Sequence, residues 1–171
     1  MSIVRLGVVA AEHRLPELAE ILADCVAGGA SVNFMQPFPP AAAETWWRGL
    51  LPRIASGDIV LLAALHDGRA MGTVQLHLGT PPNQPHRADV AKMLVHRQAR
   101  QRGLARTLML AAEDEARKAG RWLLTLDTVT GGSASFLYRN LGYRQVGTIP
   151  DYALMPDGPL CSTEIFYKRL S

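Results

Sequence analysis

The segment from residue 88 to residue 128 constrains the fold most, because its pattern predicts a strand, a loop, a helix and another strand in succession. Ala88–Val95 has the apolar pattern of one strand, and Trp122–Thr128 has that of a second. Gly120 ends the helix between them. The helix face is lined by small and apolar residues at helical spacing: Leu104, Leu108, Ala111, Ala112, Ala116 and Ala119. This unit predicts a parallel crossover in the middle of a sheet.

Antiparallel hairpins are predicted on both sides of this crossover. Asp58–His66 and Arg69–Leu78 have strand patterns, and the Asp-Gly pair between them is the strongest short-range hairpin signal in the chain. After a short helix at residues 133–141, residues 143–155 and 160–170 are strand-like around a Pro-Asp-Gly-Pro turn. The chain is therefore expected to end in a closing hairpin.

The N-terminal part predicts one strand and two helices. Residues 3–9 are apolar and β-branched, which favours a strand, and Pro16 to Gly28 brackets an amphipathic helix. Residues 33–40 contain three prolines and predict a loop. A second helix follows from Ala43, and Pro52 is expected to kink it or end it early. The order β-α-α-β-β-β-α-β-α-β-β indicates an α/β (α+β) fold of three layers, with a mixed, mostly antiparallel sheet of about seven strands.

Composition excludes several classes of protein. With 171 residues and 48% hydrophobic content, one domain over residues 1–171 is expected. Cys25 and Cys161 lie far apart, and neither they nor the histidines have metal-ligand spacing, so we expect no metal. The start lacks a signal peptide and apolar stretches are interrupted by charges, which predicts a cytoplasmic protein without a membrane partner. A net charge of +3, mostly dispersed, disfavours nucleic acid.

The loop between the strand and the helix concentrates positive charge and predicts a phosphate site. Gly103 allows a tight turn, and the first amides of the following helix lack intrahelical acceptors and share its positive end. The alternative is that Gly103 only permits the turn and the arginines form a solvated surface. Nucleotide-binding glycine motifs are missing here. The residues of this candidate loop are Arg100, Gln101, Arg102, Gly103, Leu104, Ala105 and Arg106.

The same loop carries a resemblance to a known family. Arg100, Gly103 and Ala105 fit the signature Arg/Gln-x-x-Gly-x-Gly/Ala, so the sequence resembles the GNAT acetyltransferases. Phe136 and Tyr138, just before Leu141-Gly142-Tyr143, are similar to the next motif of that family. The resemblance spans nearly the whole chain and implies one GNAT domain, acetyl-CoA as the cofactor and a sheet splayed at its centre. It also implies that cofactor contacts include Met93, Leu94, Val95, Ser135 and Tyr138.

A narrower likeness points to a class of acceptor. The sequence looks like the tabtoxin-resistance acetyltransferases, which acetylate the amine of a small β-lactam amino acid and confer antibiotic resistance. The residues of this likeness are Gly28-Gly29-Ala30-Ser31-Val32, Phe34-Met35, Lys92, Leu126-Asp127-Thr128, Pro150, Tyr152 and Pro156-Asp157-Gly158. Phe34, Met35 and Lys92 are then expected to bind the acceptor. Two departures are Ala105 in place of a glycine and Asp89 in place of a glutamate.

Acetyl transfer to an amine needs a base, an acid and a stabilised oxyanion. Tyr138 is the candidate acid, since a phenol with a pKa of about 10 stays protonated at neutral pH. Asp127 and Asp89 are alternative bases, and a backbone N–H near Leu94 is the candidate oxyanion donor. Each also has a structural interpretation: Tyr138 could pack its ring on the sheet, Asp127 could cap a turn, and Asp89 could be a solvated loop residue.

The acceptor stays open at this point. A small-molecule amine is preferred, because the apolar residues 34–38 and the long closing hairpin suggest a walled pocket. A protein or peptide N-acetyltransferase and a non-catalytic acyl-CoA-binding module are the alternatives. Trp46 and Trp47 keep helical spacing and are expected in the core. The closing hairpin could pair to form a homodimer.

Overall fold

A computed structural model describes residues 2–171 and shows seven strands and five α-helices within that range. The chain order is β1 (Ser2–Leu6), α1 (Val8–His13), α2 (Leu15–Ala27), α3 (Pro40–Ser56), β2 (Ile59–His66), β3 (Arg69–His77), β4 (Arg87–Val95), a 3-10 turn (Arg97–Ala99), α4 (Leu104–Lys118), β5 (Leu123–Val129), α5 (Ser133–Asn140), β6 (Arg144–Leu154) and β7 (Leu160–Arg169).

The strands form one sheet in the order β1-β2-β3-β4-β5-β7-β6. The neighbours β4 and β5 are parallel and are connected by α4, whereas the other neighbouring pairs are antiparallel. The predicted crossover and both predicted hairpins are confirmed. So is the mixed, mostly antiparallel sheet.

Helices cover both faces of the sheet, because its inner strands are apolar on both sides. Side chains alternate between the faces along a strand. In β2, Val60 and Leu62 join the hydrophobic cluster under α4, while Ile59 and Leu61 join the cluster under α1, α2 and α3. Trp47 is buried in the second cluster, and its Nε1 donates a hydrogen bond to the Leu18 carbonyl at 2.9 Å. Its predicted place in the core is confirmed.

Two local predictions are wrong for identifiable reasons. The first strand was expected to reach Val9, but it ends at Leu6, and residues 8–13 form the short helix α1. This helix buries Ala11 and leaves Val9 64% exposed, so burial outweighs the strand preference of β-branched residues. The helix α3 also continues through Pro52 to Ser56. The residue four positions earlier, whose carbonyl loses its partner, is the exposed Arg48, so water can replace the missing amide.

The centre of the sheet is splayed, as expected. Strands β4 and β5 pair only from Arg87 to Asp89 on β4, although β5 goes on pairing with β7 through Val129. A bulge shifts the register between β3 and β4, and Lys92 within it has a φ of +49°. A cleft therefore opens between β4 and β5 beyond Asp89.

The described part of the chain holds no helix that is both long and apolar enough to cross a membrane. Its longest helix, α3, has 17 residues and a polar, exposed side. Within residues 2–171, no group of three or more His, Cys, Asp or Glu side chains is arranged to hold a metal ion.

Candidate active site

The loop before α4 presents a row of backbone amides to solvent. Gln101 and Gly103 have left-handed φ values of 62° and 77°, which swing the chain from the 3-10 turn into the helix. Gly103 is the N-cap and provides no side-chain cap. The first amide of the helix with a partner is that of Thr107, which donates to the Gly103 carbonyl at 3.1 Å. The amides of residues 101–106 donate to no group of the described chain, so they can bind an anion.

The three arginines of this loop have different roles. Arg100 folds back, donating from Nε to the Val95 carbonyl at 3.1 Å, and its Nη2 lies 3.9 Å from the Cys25 sulfur. It therefore braces the loop against the end of β4. Arg102 and Arg106 are exposed, and no ion pair or hydrogen bond ties them to other residues between 2 and 171. Their guanidinium groups remain available for phosphate.

The edge of β4 that faces the cleft has no strand to pair with. On its other side, Leu94 and Val95 pair with Thr73 and Gly72 of β3. The strands approach so closely there that a Cβ on Gly72 would lie 2.9 Å from the Leu94 carbonyl oxygen. Backbone groups of β4 from Met93 onward are thus held rigidly beside an open cleft. An extended ligand can pair with them as a strand would.

Lys92, in the bulge of β4, lies against aromatic rings. The Lys92 Nζ is 5.6 Å from the centre of the Phe34 ring and 5.5 Å from that of Trp46. The Phe34 ring stacks on Phe38 at 4.3 Å. Burial lowers the pKa of Lys92, and the charge of Asp127 partly opposes this effect. Trp46, expected in the core, therefore also forms part of this lysine site.

Two chain segments lie over the cleft and are tied to one another. The backbone N–H of Gln36, in the loop between α2 and α3, donates a hydrogen bond to the Pro156 carbonyl at 2.9 Å. The Ser31 hydroxyl donates to the Leu154 carbonyl at 3.0 Å. Met35, which is 44% exposed, lies at the mouth of an open pocket of about 510 Å³ between this loop and the β6–β7 turn. The apolar loop and the closing hairpin together wall the region where an acceptor was predicted.

The candidate acid is buried, and the charge of one candidate base acts on it. Tyr138 of α5 is buried, and its ring packs 5.8 Å from Tyr143 and 6.0 Å from Phe166. Burial, and then the nearby charge of Asp127, raise the pKa of Tyr138 well above its ordinary range, so the phenol stays protonated. Asp127 is exposed on the splayed part of β5, where it accepts a hydrogen bond from Thr163 at 3.0 Å.

Asp89 and Ser135 are held by partners inside the protein. Asp89 accepts short hydrogen bonds from Arg87 and Thr125 at the last paired position before the splay. Ser135 is fully buried, and its hydroxyl donates to the Glu164 carboxylate and accepts from Arg139 at 2.6 Å. The structure therefore does not support a cofactor contact through the Ser135 side chain.

The buried network around Glu164 was not found by sequence reasoning. Its carboxylate accepts from Ser135 and, at 2.8 Å, from Arg139. These hydrogen bonds hold α5, and with it Tyr138, on the sheet. No local pattern indicates this pairing, because Glu164 lies 29 residues from Ser135 and 25 from Arg139.

Similarity to known sequences identifies the family of this chain. A model of the acetyltransferase (GNAT) family matches residues 16–143. An uncharacterized N-acetyltransferase of Azospirillum brasilense, from the hisH-hisA intergenic region, is 32% identical over 115 residues, which are 66% of this chain and 67% of that protein. The chain belongs to the GNAT acetyltransferase family. It is thus an N-acetyltransferase, and its cofactor is acetyl-CoA.

Solved structures confirm the fold of this acetyltransferase. The ribosomal-protein-alanine N-acetyltransferase of Brucella melitensis superposes with a TM-score of 0.81 at 23% identity, covering 99% of this chain and 100% of that one. The Salmonella typhimurium protein yncA, solved with its cofactor acetyl-CoA, has a TM-score of 0.78 at 16% identity, covering 100% of this chain and 94% of that one. At these identities the likeness concerns the fold.

The acetyltransferase has groups that fit coenzyme A. The free amides of residues 101–106 with the exposed Arg102 and Arg106 suit its phosphate groups, and the unpaired edge of β4 suits its peptide-like arm. The loop pattern predicted the first feature, and the family resemblance implied the second; their contacts with coenzyme A stay a prediction.

The left-handed turn at Gly103 gives a direct test of this loop in the acetyltransferase. Gly103→Ala is expected to weaken acetyl-CoA binding about tenfold, because a side chain at positive φ costs about 1–2 kcal/mol and displaces the amides. Isothermal titration with acetyl-CoA measures the change. The matched control is Gly49→Ala in α3, where an added Cβ meets nothing within 4 Å. Gly49→Ala should leave the affinity for acetyl-CoA unchanged. If Gly103→Ala binds acetyl-CoA as tightly as Gly49→Ala does, the proposed role of the loop is wrong.

Proposed function

We propose that this acetyltransferase acetylates the primary amine of a small, amino-acid-like acceptor. The proposal depends on Lys92, a lysine of the β4 bulge whose ammonium group has no carboxylate within ion-pair distance among residues 2–171. Asp127 lies near enough to influence its charge. An amino acid offers a carboxylate to Lys92 and an ammonium group to Asp127, so one small ligand satisfies both side chains.

The roof over the cleft favours a small acceptor over a protein chain. Hydrogen bonds of Ser31 and Gln36 join the loop between α2 and α3 to the β6–β7 hairpin, so the two segments bridge the cleft. An extended peptide would have to cross this bridge, whereas a small acceptor can enter through the open pocket beside Met35. The residues resembling the tabtoxin-resistance enzymes, including Phe34 and Asp157, belong to this same roof. A β-lactam amino acid therefore falls within the proposed acceptor class, and resistance to such a toxin is a proposed consequence.

The side chains divide the chemistry among them. Acetyl-CoA supplies the acetyl group as a reactive thioester when bound. Tyr138, kept protonated by its surroundings, is proposed to give a proton to the departing sulfur. Asp127 is proposed to orient the ammonium group of the acceptor, and the backbone N–H near Leu94 to stabilise negative charge on the acetyl oxygen.

The role of Lys92 predicts a selective loss of binding. Lys92→Met keeps the aromatic contacts but removes the charge, and KM for amino acids is expected to rise about 10- to 100-fold, since a charge-assisted hydrogen bond contributes about 1.5–3 kcal/mol. Steady-state kinetics with an amino acid and its decarboxylated amine measure the selectivity. Lys118→Met, at an exposed pair with Glu115, is the control. If Lys92→Met raises KM equally for both amines, the carboxylate contact is wrong.

The closing hairpin supports the predicted homodimer as a further proposal. Strand β6 lies at the edge of the sheet, and almost all of its residues are exposed. The exposed apolar side chains of the hairpin are Val146, Ile149, Tyr152, Leu154 and Leu160. A second copy of the chain is the partner that such an edge would pair with.

A further inference from the structure

A histidine lies on the acceptor side of the sheet and has no role in the chemistry assigned so far. His77 ends β3, where it pairs with Asp89 of β4, and Asp89 pairs in turn with Thr125 of β5. Directly paired residues of neighbouring strands share a face. His77 also pairs with Ile59, whose side chain lies in the cluster under α1, α2 and α3. The imidazole is therefore on the same face as Asp89, beside the opening of the cleft.

One nitrogen of this imidazole has a fixed partner. His77 Nε2 lies 2.8 Å from Oε1 of Gln75, a residue that is 1% exposed. With Gln75 Oε1 as the acceptor, the neutral ring carries its proton on Nε2; this orientation leaves the buried Nε2 of Gln75 without a partner in the described chain. Nδ1 then keeps its lone pair, and no hydrogen bond from residues 2–171 occupies it. The ring is thus oriented as a proton acceptor.

Charged groups from each neighbouring element set the protonation of this ring. Burial lowers the pKa of His77, as do the positive charges of Arg53 on α3 and Lys92 on β4, while Asp89 opposes them. The imidazole is therefore neutral at pH 7 and able to accept a proton. Once protonated, it gains the attraction of Asp89. The rings that contact Lys92, those of Phe34 and Trp46, pack against the cluster under α1, α2 and α3, the face on which His77 lies.

We propose that His77 accepts a proton from the ammonium group of the acceptor, directly or through one water, and that Asp89 stabilises the resulting imidazolium. This inference rests on the proposed function, which requires an amine that is protonated in solution. An N–H bond of the ammonium breaks, an Nδ1–H bond forms, and the amine keeps the electron pair that it needs for attack. The imidazolium later returns the proton to water.

His77 suits this step better than either carboxylate. Oδ1 of Asp89 already accepts hydrogen bonds from Arg87 and Thr125, which tie the carboxylate to β4 and β5 at the last paired position. Asp127 is exposed and accepts one hydrogen bond, from Thr163, so its carboxylate can still bind the ammonium group of an acceptor. An imidazole has a pKa closer to neutral pH than a carboxylate, which makes it the more effective general base.

The test compares His77→Gln with the control His66→Gln, which changes the half-exposed histidine at the end of β2. With the best amino acid of an amine panel, His77→Gln should lower kcat/KM about 100-fold at pH 7. The deficit should shrink as the pH rises toward the pKa of the amine, because the acceptor then arrives unprotonated. Acetyl-CoA affinity and the melting temperature should match those of the control. A loss of less than twofold, or an equal loss at every pH, would overturn the proposal.

A second measurement examines the ring itself. The ring ¹⁵N signals of His77 are assigned as those that disappear in His77→Gln. Their chemical shifts should show a neutral ring with its proton on Nε2 at pH 7. A charged ring, or a neutral ring with its proton on Nδ1, contradicts the inference. The two proposals fail separately. If the wild-type protein acetylates no amine of the panel, the proposed function is wrong and the role of His77 falls with it. If it acetylates an amine and His77→Gln is equally active, only the role of His77 is wrong.

Discussion

Tyr138→Phe is expected to lower kcat about 100- to 1,000-fold while leaving acetyl-CoA affinity within twofold, because only the proton of the phenol is removed. The ring is buried against Tyr143 and Phe166, so the aromatic packing survives the change. The pKa of Tyr138 lies above the ordinary value of about 10, so the phenol should stay protonated up to that pH. The activity of the wild-type enzyme should therefore not fall below about pH 10 through ionisation of Tyr138. Release of coenzyme A, followed with a thiol reagent from pH 6 to 10, measures both effects.

Tyr143→Phe is the matched control for this experiment. Tyr143 is also buried, and its hydroxyl forms no hydrogen bond with any residue of the described chain. Removing a buried hydroxyl without a partner should leave activity unchanged and stability unchanged or slightly raised. If both variants keep full activity, Tyr138 is not the acid. If both lose it equally, the loss comes from packing.

Lys168→Met is expected to destabilise the fold by about 3 kcal/mol, the lower end of the usual cost of breaking a buried ion pair, because Arg117 Nη2 remains 3.9 Å from the Glu113 carboxylate. Its Nζ donates to both oxygens of Glu113 at 2.7 and 2.8 Å, and to the Leu141 carbonyl at 2.7 Å. Glu113 is 2% exposed on the inner side of α4. The variant leaves the negative charge of Glu113 in the core. Urea unfolding of the protein without acetyl-CoA measures the lost free energy of unfolding.

The double variant Glu113→Leu with Lys168→Met separates charge from packing. It removes both charges, so it should recover most of the lost free energy of unfolding. A single variant within 1 kcal/mol of the wild type would show that the pair contributes little. A double variant as unstable as the single one would assign the effect to the Leu141 contact.

The sequence predicted those parts of the fold that depend on local patterns. The crossover from β4 through α4 to β5 follows from a periodic helix face and its Gly120 stop, and the first hairpin follows from Asp67-Gly68. Predictions failed where distant contacts decide the outcome. The helix at residues 8–13 exists because Ala11 is buried, and α3 passes Pro52 because its solvent side tolerates a missing amide.

In the candidate site, too, the sequence predicted what depends on a local pattern and missed what depends on distant contacts. The amides around Gly103 belong to one short loop, so its motif identified them. Lys92 and Phe34 are far apart in sequence, and only their resemblance to a family pattern suggested that they meet; the structure places the Lys92 Nζ 5.6 Å from the Phe34 ring. His77 was overlooked, because its pairing with Asp89 depends on strand register across a bulged sheet.

The proposed reaction of this acetyltransferase is acetyl transfer to a small amino-acid-like amine. The most direct test is a panel of free amino acids, including a β-lactam amino acid, their decarboxylated amines and short peptides, scored by release of coenzyme A and by mass of the product. At least one free amino acid is expected to be acetylated, and its decarboxylated form should be a markedly poorer substrate. Acetylation of peptides alone, or tight acetyl-CoA binding without release of coenzyme A for any amine, would contradict it.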